Sequence, residues 1–186
     1  YEISLGLVGS EDVYKRQGRA FGIEAMLQYQ TERLSLTASY TYTDSRRRSD
    51  GVTYPFEYDV PHDFNAFVSY DVVKRPGRKH TFSLNVAWRS GLPYRLTNES
   101  YPDTDGNPII GITAYPTMRM HNYFRADVSY NMERRKRNGV RNWQFSIINA
   151  TWHKNPVSIY PYRGSYKATV LIPIMPSVSY TRTFGK

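Results

Sequence analysis

The chain has 186 residues, no cysteine and a formal net charge of +9, and it carries 17 tyrosines against 8 phenylalanines. Disulfides, thiolate metal sites and thiol nucleophiles are excluded, and no apolar run approaches the roughly 18 residues of a membrane helix. Alternating strands give only a weak hydropathy signal and are untouched by that test, while abundant tyrosine suits a surface that is apolar but wet at its edges.

Leu7 to Gln17 reads LVGSEDVYKRQ, with neither strand nor helix period. The run is similar to translated sequencing-adapter ends found in reading frames, so residues 1–17 are expected to be a non-native or disordered leader outside the fold.

From Gly18 onward the chain alternates with period two. In a first strand near 19–30, Phe21, Ile23, Ala25, Leu27 and Tyr29 share a face opposite Gly22, Glu24, Gln28 and Gln30. A turn at Thr31-Glu32 leads to a second strand near 33–44, with Leu34, Leu36, Ala38, Tyr40 and Tyr42 against Ser35, Thr37, Ser39, Thr41 and Thr43. After a polar loop, Asp44 to Pro61, a third strand near 62–73 sets Phe64, Ala66, Val68 and Tyr70 against Asn65, Phe67, Ser69 and Asp71. The basic Pro-Gly turn Lys74 to Lys79 opens a fourth strand near 80–90, with Phe82, Leu84, Val86 and Trp88 opposite Thr81, Ser83, Asn85 and Arg89. A loop from Gly91 to about Met120 precedes a fifth strand near 121–133, with Phe124, Ala126, Val128 and Tyr130 against Arg125, Asp127, Ser129 and Asn131. A basic turn, Arg134 to Gly139, starts a sixth strand near 141–160, which slips at Asn149 as at a bulge. The seventh, near 167–185, carries Val178, Tyr180 and Phe184 on one face.

The expected fold is all-β, an antiparallel up-and-down meander of about seven strands. Short and long connections alternate strictly, which puts every long loop at one end of the sheet. Aromatics bracket the apolar face: Phe21, Tyr29, Tyr42, Phe64, Tyr70, Phe82, Trp88, Phe124, Tyr130, Trp143 and Phe184. Six to eight residues at ~3.3 Å each span about 15–25 Å, close to the apolar band of an outer-membrane barrel with its two aromatic girdles. The opposite face would then line a lumen.

Several runs resemble the carboxyl-terminal barrel of TonB-dependent outer-membrane receptors of the Bacteroidota type. They are Gly22-Ile23-Glu24, Ala38 to Thr43, His62-Asp63-Phe64-Asn65 with Ser69-Tyr70, Trp88 to Tyr94, Tyr123 to Tyr130, Ser146 to Asn149 with Lys154-Asn155-Pro156, and Pro176 to Phe184. The resemblance covers residues 18–186. It implies a barrel of about 22 strands, of which these would be the last. It also implies a plug domain and a TonB box elsewhere in the protein, a place in the outer membrane of a Gram-negative bacterium, and energised uptake of a ferric siderophore, cobalamin or glycan. The implied partners are outer-membrane lipid and lipopolysaccharide, the TonB complex, and the barrel assembly machinery, which would read Val178, Tyr180 and Phe184. Arg182 stands where the family has an aromatic, and Gly185-Lys186 extends past its terminal phenylalanine. The alternative from another class is a passive porin-like or adhesive barrel without TonB coupling.

Asp71, Arg89, Arg125 and Asp127 are expected to face the lumen, where charges pair across strands for solvation. Tyr94, Tyr101, Tyr115 and Trp152 lie in or near long loops and are ligand candidates. Asp103, Asp105 and Asn107 have the opening spacing of a calcium loop but lack its bidentate glutamate, so an Asx-turn is the better reading. Arg46-Arg47-Arg48 is placed to meet lipopolysaccharide phosphates, and Arg134 to Arg137 is read as a solvated turn. These charges are split between loops and turns rather than gathered on one surface with aromatic platforms, which argues against a nucleic-acid partner. His62-Asp63 has no nucleophile motif beside it, and the histidines show no metal spacing. No catalytic residue, cofactor or metal is expected.

Overall fold

In the computed structural model, which describes residues 3–4, 17–95, 97–102, 108–112, 115–162 and 165–184, the alternating segments become seven long strands. These are β1 (Gln17–Gln30), β2 (Leu34–Ser49), β3 (His62–Arg75), β4 (Arg78–Arg89), β5 (Tyr123–Lys136), β6 (Gly139–Ile148) and β7 (Met175–Thr183). They pair antiparallel in chain order, and no helix occurs among the described residues. Ile3–Ser4 pairs with the start of β1, and Val52–Pro55 folds back on the end of β2.

The hairpins at one end are short because their residues supply the turn geometry. Thr31 caps the first, with its Oγ1 accepting from Leu34 N at 3.0 Å and its own N–H donating to Leu34 O at 2.7 Å. Gly77, at φ 71°, and Gly139, at φ 121°, occupy conformations that tight hairpins require and that L side chains avoid. The long connections, residues 50–61, 90–122 and 149–174, all lie at the other end. They contain the small hairpins Pro93–Tyr94 with Met118–Arg119, Thr97–Pro102 with Pro108–Ile112, and Pro156–Tyr162 with Ser165–Val170.

Register turns alternation into rows across the sheet. On one face Tyr29, Leu36, Val68, Leu84, Val128, Ile147 and Pro176 are successive partners from β1 to β7. Toward the long loops lie Leu27, Ala38, Ala66, Val86 and Ala126, and then Ala25, Tyr40, Phe64, Trp88 and Phe124. Toward the short turns the next row is Leu34, Tyr70, Phe82, Tyr130, Phe145 and Val178. Aliphatic rows therefore lie between two aromatic ones. The other face has a row of six serines, Ser35, Ser69, Ser83, Ser129, Ser146 and Ser177.

The sheet is a single layer. Its accessible surface is 14477 Å² for 21.7 kDa, where a compact protein of that mass exposes roughly 9,200 Å². Ala126 is the one buried hydrophobic side chain among the described residues. The sheet does not close: all of β1 and β7 is exposed, and among the described residues only Ile3–Ser4 pairs on the outer side of either.

Two strand expectations need correction. The sixth strand ends at Ile148 rather than running to 160, because Asn149, at φ 53°, starts a turn, and Pro156–Tyr162 pairs with Ser165–Val170. The seventh begins at Met175, since 165–170 belongs to that same loop hairpin. Period-two patterning identifies an extended segment but not its partner. Separately, β2 continues to Ser49, beyond the expected end near 44, because Val52–Pro55 supplies it with a partner.

Paired on both sides, β4 is expected to hold the slowest-exchanging amides in hydrogen–deuterium exchange of the folded chain, with Leu84 and Val86 among them. Alternate amides of β1 and β7 should exchange fastest. Equal protection of β1, β4 and β7 would mean the two edges are paired.

Candidate functional site

The polar face gathers its charge next to the long loops. Asp63, Arg89 and Tyr123 form one cross-strand row, Asn65, Ala87 and Arg125 the next, and Phe67, Asn85 and Asp127 the third. Arg89 lies over the Tyr123 ring, 4.6 Å from its centroid, beside a cavity of about 220 Å³ lined by Asp63, Asn65 and Arg89. Arg125 Nε donates to both Asp127 oxygens at 2.8 Å, and Asp127 Oδ1 also accepts from Asn149 N at 2.8 Å. Asp127 thus ties β5 to the turn that ends β6.

Asp71 stands apart from these three. Unbroken alternation from Asp63 keeps it on the polar face, across the serine row from Asp127, and the bulge that follows it shifts only Val73 to Arg75. On that face Asp71 accepts from Thr81 Oγ1 at 2.8 Å and pairs with Lys79 at 3.2 Å. The expected ladder is therefore two clusters, one under the long loops and one near the short turns.

Side chains fasten the long loops to the sheet. Asp59, with its side chain almost wholly buried, pairs with Arg119 and accepts from Ser45 N at 2.8 Å. Arg119 Nη1 also donates to Asp59 O at 3.0 Å and Gly91 O at 3.2 Å. A cavity of about 280 Å³ opens here between Tyr42, Arg46, Tyr54 and Arg119. Arg46 Nε donates to Asp44 at 2.8 Å, which raises the arginine's pKa above its ordinary value. Farther along, the buried Asn155 donates through Nδ2 to Phe124 O at 2.8 Å and accepts at Oδ1 from Phe124 N at 2.9 Å. Its amide takes the place of a strand neighbour where β6 has already ended.

The loop aromatics have separate settings. Tyr94 Oη donates to the Ile159 carbonyl, joining two loops. Tyr115 packs on Tyr54 with ring centroids 4.4 Å apart, and Trp152 projects 57% exposed from the turn after β6. Tyr101 pairs with Ile109 in a loop hairpin. Tyr94, Tyr115 and Trp152 share no partner in these contacts. Asp103, Asp105 and Asn107, and also Gly185-Lys186, lie outside the described residues.

One row outside each bracketing aromatic row lies a histidine bonded to one of that row's tyrosines. At the long-loop end His62 Nδ1 is 2.7 Å from Tyr40 Oη and its ring adjoins Tyr42 and Trp88. Near the short turns His80 Nδ1 is 2.8 Å from Tyr130 Oη, with Trp143 and Tyr180 packed at 4.6 Å beyond. Phe21 lies opposite Asp44, and Phe184 follows β7 with Arg182 over its ring at 4.4 Å. No group of three or more histidine, aspartate or glutamate side chains among the described residues is arranged to hold a metal.

Sequence reading missed Asp59, Arg119 and Asn155. Their partners lie 14 to 60 residues away in the chain, and only the Asn-Pro pair at 155 hinted at a structural role. Comparison with protein-family models, curated proteins and solved structures returned no match.

Asp59→Ala is expected to cost about 1–3 kcal/mol in chemical denaturation, because it strands Ser45 N–H and the Arg119 guanidinium. Gly91→Ala should be comparably harmful, since a Cβ there would fall on the Met120 carbonyl. Wild-type stability in either variant would show that the loop bases are not held this way.

Proposed function

We propose that these strands form part of a transmembrane β-barrel in the outer membrane of a Gram-negative bacterium, and that the barrel belongs to a TonB-dependent receptor. The observation that carries the membrane reading is the register. It aligns aliphatic side chains into continuous rows between two aromatic rows on one face. The opposite face carries serine, threonine, asparagine and charge, and every long loop leaves from one end. A soluble sheet this size would cover its apolar face with a second layer; here hydrocarbon does so, with the aromatics at the two interfaces. The open edges of β1 and β7 are completed by further strands of the same barrel.

In this reading the polar face lines the lumen. Arg89, Arg125, Asp127 and Asp63 sit below the extracellular loops, where an incoming solute and the plug would meet them. The solute is a ferric siderophore, cobalamin or glycan, gathered by loops and plug, and the energised TonB complex then displaces the plug while the barrel acts as scaffold and conduit. Uptake, plug and TonB coupling rest on the resemblance described above; the two-faced register supports the barrel.

Arginine scanning tests the faces. Leu36→Arg or Val86→Arg is expected to cost ~2–4 kcal/mol near the bilayer midplane, and Thr37→Arg or Asn85→Arg far less, read from denaturant titrations in lipid. Equal costs on both faces would sink the membrane assignment. TonB coupling is tested on the intact gene: an upstream plug domain and TonB box support the receptor, and a barrel encoded without them is a passive pore.

A further inference from the structure

The short-turn end of the apolar face carries a charge pattern that chain order hides. Arg75 is the register partner of Arg78, Arg78 of Arg134, Arg134 of Arg141, and Arg141 of Arg182. Five arginines on five consecutive strands therefore form one row. The row lies two residues beyond His80, Met132, Trp143 and Tyr180 and four beyond the aromatics Phe82, Tyr130 and Phe145, on their face of the sheet. All five are exposed, and among the described residues none makes an ion pair. Of the acids at this end, Glu133 and Asp71 lie on the other face with cationic partners there, Arg135 and Lys79, and Glu32 lies in the first turn, where its carbonyl accepts from Lys74 Nζ. A cavity of about 530 Å³ at the end of the row is lined by Lys136, Arg137, Arg141 and Arg182.

Like charges set directly opposite across strands repel, and four such contacts in sequence require a counter-anion. The geometry points to lipid phosphate. We infer that Arg75, Arg78, Arg134, Arg141 and Arg182 bind the phosphate groups of anionic lipid in the leaflet on the short-turn side. Guanidinium groups pair with phosphate through two parallel hydrogen bonds, and their long stems let the charge reach the interface from the edge of the apolar band. The neighbouring surface favours lipid over nucleic acid, because the same face continues into the aliphatic row Leu84, Val128 and Ile147, which acyl chains cover and a polynucleotide does not. Arg134 is thus part of a binding row rather than of a solvated turn. The inference rests on the membrane reading above and names the lipid that reading needs.

The test uses the full chain and two kinds of vesicle, phosphatidylcholine alone and phosphatidylcholine mixed with phosphatidylglycerol, with co-sedimentation at low ionic strength. The wild type is expected to bind both and to prefer the anionic one. Arg78→Gln/Arg134→Gln/Arg141→Gln should reduce that preference by about a hundredfold, at about fivefold per charge near an anionic surface. Arg78→Lys/Arg134→Lys/Arg141→Lys should retain most of it, which separates charge from misfolding. Lys74→Gln/Lys79→Gln/Arg135→Gln, removing equal charge from the opposite face at the same end, should leave it nearly unchanged. Equal losses from the two glutamine triples would reduce the effect to net charge and overturn the row. Binding to both vesicles without preference would overturn the row alone, and failure to bind either would overturn the membrane reading with it. If inorganic phosphate abolishes the preference where sodium chloride of equal ionic strength does not, the row takes free phosphate and the lipid assignment fails.

Discussion

Cross-strand register is the constraint on which this protein depends. A sandwich can absorb a poorly placed side chain into its second layer, but a single-layer sheet with almost no buried side chain has nothing behind it. Slipping one strand by one residue would move its whole apolar set to the polar face. The pairing is continuous from β1 to β7, and its one irregularity in the main sheet, between Asp71 and Val73, comes at the short-turn end of β3 and brings Arg75 opposite Arg78. The six-serine row also fits this constraint: small hydroxyls leave that face open and can bond locally without needing a core.

Where the strands run out, side chains replace them. Asn155 uses both ends of its amide on the Phe124 backbone at the start of β5, beyond the reach of β6. Asp59 and Arg119 bind the base of the 90–122 loop to the end of β2. These contacts fasten the loop bases to the sheet beside the Arg89, Arg125 and Asp127 cluster. In the receptor proposed above, loop bases held this way would keep a recognition surface in place on the scaffold it opens into.

The two ends of the sheet differ in charge arrangement although both are bounded by aromatics. At the long-loop end acids are interleaved with bases, as in Asp44 with Arg46 and Asp59 with Arg119. On the apolar face at the short-turn end, guanidinium faces guanidinium across five strands. The first arrangement neutralises itself. The second is complete only against an external anion, so the sheet is polarised along its strands as well as between its faces.

Much of the fold could be read from the sequence, because face alternation is a local property: Leu34 to Tyr42 or Phe124 to Tyr130 declare their two faces with no knowledge of a partner. The turns were legible for the same reason, through Pro76-Gly77 and Asn138-Gly139. Pairing was not local, and reading failed where it mattered. Pro156–Tyr162 reads as extended, yet it pairs with Ser165–Val170; its two prolines argue against a place inside the main sheet but do not name the partner. Asp59 and Arg119 are 60 residues apart and show no motif. The arginine row joins positions 75, 78, 134, 141 and 182, which sequence inspection divides among two turns and a terminus. The sequence by itself determined which residues share a face and where the chain turns, since those follow from backbone period and turn chemistry. Only the tertiary structure decided which charges meet, because antiparallel register is a long-range property that brings distant residues to within one strand spacing.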